Sequence, residues 1–174
     1  DTDRSRGLGD VYKRQIQDFA SHGLFLYNTL ERVKELPEEF QSYVTLCGEN
    51  EVISGCDFLS LHLPLNDETR NMISAPQLAS MKAGAYVINA ARGGIVNEKD
   101  LYEALVSGHI AGAAMDVSEV EPMAKENPLR TLDNVIITPH IGMYSKEAIG
   151  AVSLICAQNV AACAAGAELK FQVV

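Results

Sequence analysis

The chain has 174 residues, 47% of them hydrophobic and 21% charged, which is enough length for one domain with its own core and a composition outside the disordered range. Its net charge of −9, from 14 basic and 23 acidic residues, opposes binding to phosphate backbones, which needs clustered Lys and Arg, so no nucleic-acid partner is expected. No unbroken apolar run of about 18 residues is seen, so no membrane partner is expected either.

Residues 1–15, DTDRSRGLGDVYKRQ, are polar and lack the apolar stretch of a secretory leader, which makes a cytoplasmic address the default. They resemble translated adapter sequence and are read as a non-native or disordered head, with authentic sequence starting near Ile16. A phosphate-cradling G-x-G-x-x-G is expected to follow an apolar strand and open a helix. Here only Gly7-Leu8-Gly9 is present, no apolar strand precedes it, and Tyr12 takes the place of the third glycine.

Short aliphatic runs then alternate with helix-like stretches. The predicted strands are residues 24–27 (LFLY), 43–46 (YVTL), 58–61 (FLSL), 85–89 (AYVIN), 111–117 (AGAAMDV) and 135–138 (VIIT). Several are apolar on both faces, as in parallel strands covered by helices on each side. Ser74-Ala75-Pro76-Gln77 has the spacing of a capping box with proline in the first turn. Asn97 is placed to cap a helix that begins with Glu98 and Asp100 and stops at Gly108. Residues 145–165 form a long alanine-rich helix candidate, with Ala148, Ile149, Val152, Ile155, Cys156 and Val160 roughly on one face. Repeated strand–helix–strand units predict an α/β fold with a doubly wound parallel sheet, Rossmann-like and incomplete at its N-terminal strand. The domain reading is a head at 1–15, a partial dinucleotide-binding domain at 16–150, and a C-terminal helix and tail at 151–174.

Ligands of such sheets bind beyond the carboxyl ends of the strands. An arginine (Arg92), acidic residues (Asp116 to Glu121) and a histidine (His140) each follow a strand, so one rim collects them. The four cysteines, Cys47, Cys56, Cys156 and Cys163, form no CxxC pair and have no histidine at metal-ligand spacing, so they read as reduced thiols with no metal. His22 and His109 read as structural or surface residues. Glu119 and residues 34–39 read as solvated charge.

Four segments in order, LHLPLNDETRNMI, MKAGAYVINAARGGIVNEKDL, GAAMDVSEVEP and NVIITPHIG, resemble the second half of the nucleotide-binding domain of the D-isomer-specific 2-hydroxyacid dehydrogenases. The resemblance covers residues 24–174. It implies that Arg92 binds the substrate carboxylate, that Glu121 is the acid before the proline, and that His140 is the acid/base. It further implies that Asp116 lies beside the nicotinamide of NAD, and that Leu63, Pro64, Thr69, Ala90, Ala91, Arg92, His140 and Gly142 belong to the cofactor side. Asn28 ends the second predicted strand where NAD-specific members carry an acid for the ribose 2′-hydroxyl. NAD is therefore the expected cofactor, with NADP left open. A homodimer is expected for the full-length parent, and this chain reads as a fragment inactive by itself. The competing reading is a non-catalytic, dinucleotide-sensing corepressor on the same scaffold.

The residue chemistry agrees with these roles. Reduction of a 2-keto acid builds negative charge on the carbonyl oxygen, and a protonated imidazole at His140 can donate to it. A carboxylate neighbour such as Glu121 stabilises the charged ring. Arg92 can grip a carboxylate with two parallel hydrogen bonds, which a lysine cannot do. Ala91, Gly93 and Gly94 leave room for close approach of ligands to the backbone.

Overall fold

The computed structural model describes Thr45 and residues 47–167. The glycine pattern, the two first predicted strands, His22 and Asn28 lie outside the described residues, apart from Thr45. The described residues fall into two compact units, 47–141 and 142–167.

In the first unit, helix α1 (Glu49–Gly55) leads to strand β1 (Phe58–Leu61), α2 (Ala75–Ser80), β2 (Ala85–Asn89), α3 (Glu98–Val106), β3 (Ile110–Met115), a 3₁₀ helix (Pro128–Thr131) and β4 (Val135–Ile137). The four strands pair in the order β1-β2-β3-β4, every pair parallel. Parallel neighbours share direction, so all four carboxyl ends reach one edge. β3 starts one residue before the predicted strand and ends two before it, because the chain turns away at Asp116 after its N–H bonds the Asn89 carbonyl at 2.9 Å. β4 ends one residue early, before Pro139, which has no N–H for a ladder.

The predicted helix starts are in place. Gln77 Oε1 accepts from the Ser74 N–H and hydroxyl, Pro76 stands in the first turn, and Asn97 Oδ1 accepts the Asp100 N–H at 3.0 Å. α3 stops at Gly108, whose φ of 76° is left-handed. The Asp100 carboxylate also accepts the Ala75 N–H at 2.8 Å, tying α3 to α2.

The core lies on one face of the sheet. Leu59, Leu61, Val87 and Met115 meet Val52, Ile53, Leu78, Leu101 and Leu105 there, all buried. The parallel sheet with its helices is the Rossmann-like α/β arrangement expected from the sequence. Burial alternates along β1 and β2, and on the opposite face Phe58 stacks on Tyr86 with ring centroids 5.1 Å apart while both remain exposed.

The second unit is dominated by α4 (Lys146–Ala164), capped by Ser145 Oγ accepting the Ala148 N–H at 3.0 Å. None of its residues is buried. The sequence holds no unbroken apolar run of about 18 residues, yet α4 is long and apolar enough to cross a membrane by length and composition. The difference arises because Ser153, Gln158 and Asn159 interrupt the apolar run without charge, and residues 148–167 contain no charged side chain.

Candidate active site

Each carboxyl end of the sheet contributes a part. After β2, the chain makes a turn organised by Asn89, which is 1% exposed. A buried amide must find partners, and Asn89 finds them locally. Its Oδ1 accepts the Ala91 N–H at 3.1 Å and its Nδ2–H donates to the Arg92 carbonyl at 3.0 Å. That staple turns Arg92 outward, where it is exposed and gives one of its five N–H groups to the Ala91 carbonyl at 2.6 Å. Ala90 is exposed and Ala91 buried. Asn89 was missed in the sequence, where it read only as a strand end; an amide closing an apolar strand was the available signal.

Gly93 explains the small residue after the arginine. A Cβ built there would lie 1.8 Å from the Ser118 carbonyl oxygen, so no other residue fits without moving the loop. The Arg92 turn is thereby packed directly onto the chain that carries Glu121.

After β3, the Asp116 carboxylate accepts the Thr138 hydroxyl and, at 2.9 Å, the Ile141 N–H. These two donors bracket His140, whose φ of 55° is left-handed, a conformation histidine tolerates better than most side chains. Asp116 therefore organises the histidine turn. Thr138 was not singled out in the sequence, although a hydroxyl two residues before the histidine was visible.

Glu121 and His140 meet. His140 Nδ1 lies 2.8 Å from Glu121 Oε2, and Glu121 Oε1 accepts the Ser118 N–H at 3.3 Å. The His140 hydrogen bond, assisted by the Ser118 N–H and by the charges of His140 and Arg92 and opposed by partial burial, holds the Glu121 carboxyl below its ordinary value of 4.5. An ionised carboxylate only accepts, so His140 Nδ1 carries a proton and Nε2 is the atom left for exchange. The side chains of His140 and Glu121 are 41% and 39% exposed, open enough for a small molecule to reach the ring. The Glu121–Pro122 peptide is cis.

After β1, Ser60 Oγ lies 2.8 Å from His62 Nε2, and desolvation lowers the His62 pKa from 6.5. Leu63 is half-buried against the core and Pro64 is exposed. The Thr69 hydroxyl donates to the Pro64 carbonyl at 2.7 Å and closes that loop with Asn66. Gly142 belongs to the second unit. The structure thus brings Glu121 and His140 into contact, with Arg92 near enough for its charge to act on Glu121. Glu119 is exposed, as its reading as solvated charge expects, and its carboxylate also accepts the Glu98 N–H at the start of α3.

The family described as "D-isomer specific 2-hydroxyacid dehydrogenase, NAD binding domain" matches residues 7–142. D-3-phosphoglycerate dehydrogenase of Methanocaldococcus jannaschii is 49% identical over 154 residues, 88% of this chain and 29% of that protein. Hydroxypyruvate reductase of Thermotoga maritima is 38% identical over 146 residues, 82% of this chain and 46% of that protein. Among solved structures, a D-isomer specific 2-hydroxyacid dehydrogenase from Lactobacillus delbrueckii ssp. bulgaricus in its NAD complex superposes with a TM-score of 0.75 at 30% identity, covering 91% of this chain and 51% of that one. The chain thus spans less than half the length of the curated relatives it matches.

Proposed function

This chain belongs to the D-isomer specific 2-hydroxyacid dehydrogenase family, through its NAD-binding domain, and on that premise we propose that its protein interconverts a small 2-keto acid and the D-2-hydroxy acid with a nicotinamide dinucleotide. The observation that carries the reading is the 2.8 Å pairing of His140 Nδ1 with an ionised Glu121 at the carboxyl edge of a parallel sheet.

The rim suits a dinucleotide. Ala90 and Pro64 are exposed there without bulk or charge, and Asp116 places a carboxylate between the ends of β2 and β4. Leu63, Pro64, Thr69, Ala90, Ala91 and Asp116 are the residues proposed to hold it. NAD(H), when bound, supplies or accepts the hydride at the substrate's second carbon.

The chain's own residues do the remaining work. Arg92 binds the substrate carboxylate and so sets the direction of the carbonyl. His140 Nε2 gives its proton to the carbonyl oxygen in reduction and takes the hydroxyl proton in oxidation. Glu121 keeps the ring oriented through Nδ1–H and stabilises it while charged, and Asp116 with Thr138 holds the turn on which the ring sits. A cytoplasmic homodimer is the working form this reading carries, checked by sedimentation of the full-length protein.

The test is NADH oxidation by the full-length protein with glyoxylate, hydroxypyruvate and the phosphate ester of hydroxypyruvate, with NADPH in parallel. Turnover is expected, and His140→Ala should lower kcat by roughly 10²- to 10⁴-fold, the range for loss of a general acid. An unchanged rate in that variant removes His140 from the mechanism. Absence of turnover, with NAD binding retained, favours a sensing role instead.

A further inference from the structure

Residues 117–127, which carry Glu121, contain no helix or strand, so side-chain bonds decide where they lie. One carboxylate holds both ends. Glu98, the first residue of α3, accepts the Glu119 N–H on Oε1 at 2.7 Å and the Asn127 amide on Oε2 at 2.6 Å. Glu119 answers by accepting the Glu98 N–H on its own Oε1 at 3.1 Å. Asn127 meanwhile caps the 3₁₀ helix, its Oδ1 accepting the Leu129 N–H at 3.0 Å. Two acids side by side repel, but the start of a helix is the positive end of its dipole and its orphan N–H groups need acceptors. The loop has little slack nearby, since Ser118 lies against Gly93 with no space for a Cβ.

We propose that Glu98 and Glu119 are positioning residues: their reciprocal bridge sets where the 117–127 loop presents Glu121 to the His140 imidazole. The inference rests on the acid/base role given above to Glu121 and His140. Glu98 holds the Glu119 N–H on one side of Glu121 and the Asn127 side-chain amide on the other, and Glu119 ties its side of the loop back to the Glu98 N–H.

The test uses the full-length protein and four variants, Glu119→Ala, Glu119→Gln, Glu98→Ala and Glu98→Gln. Two readouts are taken, steady-state reduction of a 2-keto acid and the titration of the Glu121 carboxyl carbon by NMR. In Glu119→Ala and Glu98→Ala, kcat should fall by roughly 10- to 100-fold with KM little changed, as for a small misplacement of a group that acts in the transition state. In the same variants the Glu121 titration should move up toward the ordinary carboxylate value. Glu119→Gln keeps an amide oxygen for the Glu98 N–H and should restore both readouts to near wild type. Glu98→Gln should fall between, because its amide nitrogen would face the Asn127 amide nitrogen.

Folded alanine variants with unchanged kcat and unchanged Glu121 titration overturn the proposal. If they do not fold, the glutamine pair decides: Glu98→Gln raising the Glu121 titration supports it, and Glu98→Gln matching wild type in both readouts overturns it. Should the wild-type protein show no turnover while the titration still follows the bridge, the positioning stands and the assigned reaction falls. Turnover with a titration that ignores the bridge removes this inference alone.

Discussion

His140 is held in a backbone conformation that costs a non-glycine residue roughly 1–3 kcal/mol, with φ at 55°. The surrounding bonds compensate: Asp116 takes donors from Thr138 and Ile141, and Glu121 takes the ring. Glu121 gives this arrangement a pH dependence of known sign. Its folded carboxyl titrates below 4.5, chiefly through the His140 hydrogen bond. The pairing therefore contributes stability that is fully present above the ordinary carboxylate value and is lost as pH falls through the depressed one. Thermal unfolding followed from pH 7 to 3 should show this acid limb in the parent and a flatter one in Glu121→Gln. Parallel curves would mean that Glu121 is not held low.

The helix ends show how local chemistry becomes geometry. Asn97 caps α3 through the Asp100 N–H, and the same Asp100 reaches back to the Ala75 N–H of α2. One turn thus fixes a helix start and its contact with a neighbour. Asn97→Ala should cost about 1 kcal/mol, the usual loss for an N-cap, read as a lower midpoint in urea. Asn97→Ser should recover most of it, because a hydroxyl oxygen can replace Oδ1; no recovery would mean that the cap is not what Asn97 contributes. β2 depends on its neighbours in another way. Its carbonyl at Asn89 bonds the Asp116 N–H, so the Arg92 turn and the start of the Glu121 loop are placed by one strand end.

For the molecule as a whole, stability should follow the covered face of the sheet. Leu101 is fully buried under it, whereas Ile136 on the opposite face is 68% exposed. Leu101→Ala should cost about 2–5 kcal/mol, since it leaves a cavity beside packed neighbours. Ile136→Ala should cost about 0.5 kcal/mol or less, as for most exposed positions. Chemical denaturation of both variants compares them directly, and equal losses would show that the face bearing Phe58, Tyr86 and Ile136 is packed in solution. The all-parallel order of the strands matters more for the site than for stability. It brings residues separated by up to 48 positions, Arg92 to His140, to one edge.

Strand periods, helix caps and glycine stops were legible in the chain because each depends on residues within a few positions of one another. That is why α2, α3 and β2 begin and end where local chemistry places them, and why the rim bearing Arg92, Asp116, Glu121 and His140 could be named. The exposure of Phe58, Tyr86 and Ile136 was not legible, since an apolar run reads the same whichever of its residues end up buried. Nor were the partners of Asn89, Asp116 and Glu119. A carboxylate in a loop carries no local sign of which distant N–H it will accept, and only the folding of β2, β3, β4 and α3 onto one edge supplied those donors. Tertiary packing likewise decided that His140 holds the Glu121 carboxyl below its ordinary value, because a bond between positions 19 residues apart exists only once both strand ends have met.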